Sequence, residues 1–236
     1  MRKGQIIAFG GGGFSMEPEN PLLDEYILRQ SNVDNPKICF LPTASGDSKD
    51  YISRFYSFFE KQPCQPSHLS LFNPPTRDIE KFLLDKDIIY VGGGNTKNLL
   101  ALWKEWSIDS ILKKVWEEGG VLAGISAGSI CWFEEGVTDS FGDGLEPMKC
   151  LGFLKGSNCP HYDGELERRQ AFQSFVLSRK MKAGIATDDG VAVHFIGEEM
   201  KKIVSSRPHA KAYWVENDSN KIETILVPVF LGDKDI

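Results

Sequence analysis

The 236-residue chain has no long hydrophobic run. Its opening, MRKGQIIAFGGGG, holds two basic residues but an apolar stretch of only four, too short for a signal-peptide core or a membrane span. No later segment is long enough either, so no membrane partner and a cytoplasmic location are expected. An excess of positive charge is also missing: 27 Lys and Arg stand against 33 Asp and Glu, a formal charge of −6. Phosphate-backbone binding needs clustered cations, so no nucleic-acid partner is expected. Cys39, Cys64, Cys131, Cys150 and Cys159 form no C-x-x-C pair and no zinc spacing. Their odd number in a chain without a signal reads as reduced thiols, and no metal is expected. Repeats and low-complexity tracts are lacking too, and nothing looks like a linker. With 41% hydrophobic and 25% charged residues, one α/β domain over residues 1–236 is the expectation.

What is present is an alternation. The runs QIIAFGGGGFS, KICFLPTASGDS, DIIYVGGGNT and GVLAGISAG each read as a buried strand that empties into glycine or small polar residues. Between them lie amphipathic patterns: PLLDEYILRQ, YISRFYSFFEK, TKNLLALWKEW and SIDSILKKVWEE. Parallel neighbours need crossover connections, so this order predicts an α/β fold with a mainly parallel sheet and helices on both faces. Ligands bind such sheets at the carboxyl ends of the strands, where these loops converge. Residues 142–159 read as an irregular, site-forming connection that could cover the cleft. A helix is predicted over GELERRQAFQSFVLSRK, and the strand-rich last third as an antiparallel edge of the same sheet.

Gly124-Ile125-Ser126-Ala127-Gly128 satisfies G-x-S-x-G directly after an apolar strand. A strand-to-helix turn of that kind holds a serine in a strained conformation with its hydroxyl exposed, and only small neighbours permit the approach. The alternative is a glycine-rich turn whose serine merely caps a helix. As a nucleophile, Ser126 needs a base. Of the four histidines, His161 in SNCPHYDGE lies in a polar loop before a helix, whereas His194 in GVAVHF reads as a strand residue. A carboxylate should orient the imidazole, and Asp139 in GVTDSFGDG and Asp189 in IATDDGVAV both qualify. The VGGGNT loop can expose backbone N–H groups to an oxyanion, with the amide of Ala127 as a second donor. It lacks the Lys-Ser/Thr ending of a phosphate-binding P-loop, and Gly10–Gly13 lacks the third glycine of G-x-G-x-x-G, so no nucleotide or other cofactor is expected.

Taken together, YVGGGNTKNLL, GISAGS, VTD, CPHYDGE and TDDG resemble, in order and across most of the chain, the peptidase E family of α-aspartyl dipeptidases within the class I glutamine amidotransferase-like fold. The resemblance implies Ser126 as nucleophile, His161 as base, and Gly94 and Ala127 as oxyanion donors. It implies the carboxylate of Asp189-Gly190, which is glutamate in most of the family, as the orienting group. Asp139 matches a second acidic position and stays a secondary catalytic candidate. A basic residue after the histidine, here Arg168 in GELERRQ, would clamp a substrate carboxylate.

The expected activity is therefore a serine-type peptidase acting on small peptides, including dipeptides with an acidic amino-terminal residue. A cyanophycinase-like hydrolase of aspartate-arginine peptides, or a non-catalytic relative binding a small metabolite, are the alternatives. A homodimer is the default assembly.

Overall fold

The computed structural model describes residues 3–218 and 220–233. In chain order the elements begin β1 (Gln5–Phe9), α1 (Gly13–Met16), α2 (Leu22–Leu28), β2 (Lys37–Leu41), α3 (Lys49–Phe59) and β3 (Gln65–His68). They continue with α4 (Ile79–Leu84), β4 (Ile88–Val91), α5 (Thr96–Glu105), α6 (Ile108–Glu117), β5 (Val121–Ile125), α7 (Ala127–Ile130) and β6 (Phe133–Thr138). The remainder is β7 (Glu146–Lys149), β8 (Leu154–Cys159), α8 (Leu166–Leu177), β9 (Gly184–Thr187), β10 (Val191–Ile196), β11 (Glu199–Ser205), β12 (Ala212–Val215), β13 (Glu223–Leu226) and β14 (Val229–Phe230).

The main sheet runs β14-β11-β10-β1-β5-β4-β2-β3. Its strands β1, β5, β4, β2 and β3 are mutually parallel, and β10 and β11 close it on an antiparallel edge. Burial on both faces explains why these strands read as unbroken apolar runs. Along β1, Ile6 and Ala8 face one core while Ile7 and Phe9 face the other, and β2 and β4 alternate in the same way. One core takes Leu83 of α4, Trp103 of α5 and Leu112 of α6; the opposite one takes Leu23 of α2 and Phe55 of α3. Helices thus flank the sheet on both sides, as the alternation predicts.

Two expectations are corrected. The last third divides: β10, β11 and β14 join the main sheet, but β9, β12 and β13 belong to a second sheet ordered β13-β12-β9-β8-β6-β7. Residues 142–159 are not an irregular cover, since they contain β7 and β8 of that sheet. These strands escape the apolar signal because polar groups hold them. Ser157 and Asn158 are buried in β8, with Ser157 Oγ donating to the Lys182 carbonyl at 2.7 Å and Asn158 Nδ2 to the Ile185 carbonyl at 3.1 Å. α8 covers this sheet through Phe172 and Val176, which pack with Val137, Ala186 and Tyr213. Among the described residues, no helix is long and apolar enough to cross a membrane.

One carboxyl in the main core makes stability depend on pH. Asp24 is fully buried; its Oδ1 accepts from Tyr90 Oη at 3.2 Å, and its Oδ2 meets no hydrogen-bond donor in good geometry among the described residues. Burial pushes its pKa from 3.8 to about 7, against the bonds from the Phe14 backbone and Tyr90. The folded state therefore keeps a proton that the unfolded chain has already lost between these values. The sign follows: stability falls as pH rises through that window, by on the order of 4 kcal/mol for a shift of this size. Asp188, raised by burial to about 6, adds to the same trend. Urea unfolding of wild type and Asp24→Asn at about pH 5 and about pH 8 is expected to show a shallower loss for the variant; equal losses would refute this origin.

Candidate active site

Ser126 stands where β5 ends and α7 begins, with φ 56° and ψ −114°. That left-handed strain in a non-glycine residue is held from three sides. The Ser126 N–H donates to the Phe9 carbonyl at 3.2 Å, and its own carbonyl accepts from Ser129 and Ile130, both at 2.9 Å. The flanking glycines are demanded by contact: a Cβ at Gly124 would lie 2.0 Å from the Gly128 carbonyl oxygen, and one at Gly128 would lie 2.3 Å from that of Val91. Larger residues would push the turn off strand β4. Ser126 itself is half-buried and its hydroxyl makes no hydrogen bond among the described residues.

On the far side of β1 lies the second half of the site. Past Phe9 the chain continues as Gly10-Gly11, and Gly11 bridges Asp189, with the Gly190 N–H donating to the Gly11 carbonyl at 2.9 Å. β1 thus runs between the end of β5, carrying Ser126, and the start of β10, preceded by Asp189. Strands are spaced about 4.8 Å apart, so serine and carboxylate are separated by roughly two spacings, a gap an imidazole can span.

His161 reaches Asp189 from the other sheet, and no hydrogen bond joins it to Ser126 among the described residues. β8 ends at Cys159, and His161 follows Pro160 with φ 55°. Its Nδ1 meets Asp189 Oδ1 at 2.7 Å, with the two side chains only 13% and 12% exposed. The Asp189 carboxyl is pushed up by burial, but the His161 hydrogen bond and charge, together with Arg207 and Arg168, outweigh that and hold it below the usual carboxylate range. It is an ionised acceptor, and the imidazole nitrogen facing it carries the proton. Several contacts fix the pair. Asp163 Oδ1 accepts the Asp189 N–H at 2.8 Å, and the Tyr162 N–H donates to the Thr187 carbonyl at 3.1 Å. Asn158, three residues before His161, accepts from Ser129 Oγ at 2.9 Å, which ties the histidine-bearing strand to the helix behind Ser126.

Gly11 lies under the pair. A Cβ there would stand 2.0 Å from Asp189 Oδ1 and 3.1 Å from His161 Cε1. Gly11→Ala must displace the carboxylate from the ring. We expect it to lower kcat by about 10²-fold or more, because a misplacement of about 1 Å costs that much, while circular dichroism stays native. Wild-type kcat in Gly11→Ala would contradict the packing described.

The other sequence candidates are placed as follows. Gly94 and Ala127 have N–H groups that donate to no acceptor among the described residues. Gly93 lies beside the serine, where a Cβ would approach Ser126 Cβ at 3.2 Å. Asp139 is exposed and does not reach His161, although its neighbours matter: Ser140 Oγ accepts the Thr96 N–H at 2.8 Å and so caps α5 after the glycine loop. Arg168 is buried, 3% exposed, with Nε on Glu165 and Nη1 on the Val137 carbonyl. Its guanidinium is engaged inside the fold. Of the remaining histidines, His68 pairs with Tyr56, His194 is buried between Tyr26 and Gln5, and His209 is exposed. The second-sheet contacts of Asn158 and Asp163 were missed in the sequence, because a lone Asn or Asp in a loop-like stretch carries no spacing signal.

Comparison with known proteins gives the family and the fold. The family model described as Peptidase family S51 matches residues 6–203. The chain is 58% identical over 229 residues to the "uncharacterized peptidase YgaJ" of Bacillus subtilis (strain 168), covering 97% of this chain and 99% of that protein. Its fold is similar to the crystal structure of a peptidase from an acI-B1 Actinobacterium, with TM-score 0.69, 18% identity and coverage of 96% and 95% of the two chains. It also resembles a candidate peptidase E protein from Listeria monocytogenes EGD-e, with TM-score 0.63, 16% identity and coverage of 85% and 98%.

Proposed function

As the chain belongs to peptidase family S51, we propose that it hydrolyses small peptides by nucleophilic catalysis at Ser126, with His161 as base and Asp189 as the orienting carboxylate. The observation that carries this reading is the 2.7 Å contact of His161 Nδ1 with Asp189, set across β1 from a serine on a strained turn. With Nδ1–H donated to the carboxylate, Nε2 is the free acceptor. It takes the Ser126 proton as Oγ attacks the scissile carbonyl carbon. The carbonyl oxygen becomes an oxyanion that the Gly94 and Ala127 N–H groups stabilise. Collapse expels the amine, which receives the proton from Nε2–H, and leaves an ester on Ser126. Water then attacks the ester with His161 again as base, releasing the acid and restoring the hydroxyl.

Asp189 keeps a negative charge because His161, Arg207 and Arg168 favour it, so it stabilises the imidazolium formed at each attack. In this reading Arg168 acts from inside the fold through that charge. Asp139 does not orient the imidazole in this reading; its neighbour Ser140 holds the entry to α5.

The substrate class follows from the family resemblance: peptides with an acidic amino-terminal residue, dipeptides among them. A panel of dipeptides with Asp, Glu, Asn or Ala first and a common second residue, with an aspartate-arginine peptide as a further arm, tests it. Asp-first dipeptides are expected to give the highest kcat/KM. Fastest cleavage of the aspartate-arginine peptide would transfer the reading to a cyanophycinase-like activity, and indifference to the first residue would refute the acidic preference.

A further inference from the structure

Two glycine-rich loops form opposite walls of the site, one holding Gly11 under the Asp189–His161 pair and the other holding Gly93 beside Ser126. Both are outside the strands, so something else must fix the distance between them. Tyr51, in the first turn of α3, contacts the second loop directly and lies against Phe14, which follows the first. Its ring is 7% exposed and packs on Phe40 and Phe14, with centroids 4.9 Å and 5.7 Å away. A Cβ at Gly92 would come within 3.0 Å of that ring, so the ring packs closely against the loop. The Tyr51 hydroxyl oxygen accepts the Gly93 N–H at 3.3 Å.

On its other side the phenol faces the Ser15 hydroxyl, which acts to lower its pKa, and Ser15 Oγ donates to the Gly12 carbonyl at 3.3 Å. Burial raises the Tyr51 phenol above its ordinary value, against the lowering effects of Ser15 and Gly93, so the group is a neutral hydroxyl with one proton to give. A hydroxyl donates once and accepts twice. One arrangement uses every proton: Gly93 N–H to Tyr51 Oη and Ser15 O–H to the Gly12 carbonyl, with the Tyr51 O–H directed towards Ser15 Oγ. Arg54 secures the relay from outside, with Nη1 donating to the Ser15 carbonyl at 2.8 Å and the guanidinium 5.2 Å over the Tyr51 ring.

We propose that Tyr51 is a positioning residue for hydrolysis, tying the glycine loop that carries the oxyanion donor to the glycine loop beneath the His161–Asp189 pair. The inference rests on Ser126 being the nucleophile. Tyr51 touches no reacting atom. Its hydroxyl holds the Gly92–Gly93 peptide and so limits how the following peptide, which carries the Gly94 N–H, can turn. Without it the loop can turn that N–H away from a developing oxyanion, which weakens the transition state and leaves ground-state binding alone. Loss of a whole oxyanion donor costs about 10²–10³-fold, so loss of its support should cost less, about tenfold or somewhat more.

The test is inactivation by a fluorophosphonate probe, whose phosphoryl oxygen enters the oxyanion position, resolved into kinact and KI for wild type, Tyr51→Phe, Ser15→Ala and Ser126→Ala. Tyr51→Phe keeps the packed ring and is expected to lower kinact about tenfold with KI within about twofold. Ser15→Ala, which leaves the Gly93 acceptor in place, is expected to lower kinact by less. A folded Tyr51→Phe protein with wild-type kinact, or with KI raised and kinact unchanged, overturns the inference and leaves the nucleophile intact. Wild-type kinact in Ser15→Ala together with an unfolded Tyr51→Phe overturns it as well, since the tyrosine then serves the core alone. Labelling that persists in Ser126→Ala, or no labelling of wild type, overturns the nucleophile reading and this inference with it.

Discussion

Ser126→Ala is expected to lose peptide hydrolysis by roughly 10⁵–10⁶-fold in kcat, the size seen when a triad nucleophile is removed. The loss should be confined to chemistry. The alanine methyl fits the space of a half-buried serine whose hydroxyl makes no hydrogen bond among the described residues, and the contacts that strain the turn run through its backbone N–H and carbonyl. Substrate KM and the melting temperature should therefore change little. The left-handed conformation gains nothing from the hydroxyl, so the variant keeps whatever cost the turn imposes. A variant retaining even a tenth of wild-type kcat would place the nucleophile elsewhere.

Asp189→Asn is expected to lower kcat by roughly 10⁴-fold with the backbone unchanged, while Asp139→Asn stays within about tenfold. The reason is the tautomer. An asparagine in this position can offer its amide N–H to Nδ1, which turns the imidazole so that Nε2 carries the proton and cannot accept one from Ser126. The contact at stake is the 2.7 Å bond to Nδ1, and the lost charge is the one that stabilises the imidazolium. Asp139 is exposed and bonds to no imidazole, so its amide has no such effect. Parallel kinetics of the two variants decide between the carboxylates that the sequence leaves open. Equal losses, or a larger loss for Asp139→Asn, would reverse the assignment.

How much of this was legible follows from where each signal lies. The strands β1, β2, β4 and β5 could be read because burial on both faces makes them continuous apolar runs ending in glycine, and β5 announced the turn at Ser126 through its two contact-limited glycines. β7 and β8 could not. Glu146–Lys149 is polar with a proline, and Leu154–Cys159 buries Ser157 and Asn158 through side-chain hydrogen bonds to distant segments, a pattern no periodicity reveals. The missed sheet is the one that delivers His161. Its strand order cannot be inferred from the chain, because β8 pairs with β6 and β9 across intervening loops and α8. The choice between Asp139 and Asp189 was beyond the sequence for the same reason: both follow short apolar strands, and only the Gly11 bridge places Asp189 beside the ring. Tyr51 reads in the sequence as one more aromatic of an amphipathic helix, and its hydroxyl contact with Gly93 appears only in three dimensions.

The most direct test of the central claim is mass spectrometry of the protein after reaction with a fluorophosphonate. The account predicts a single adduct per chain, mapped to the peptide containing Ser126, absent from Ser126→Ala and greatly slowed in Asp189→Asn. An adduct on another residue, or equal labelling of wild type and Ser126→Ala, would contradict it.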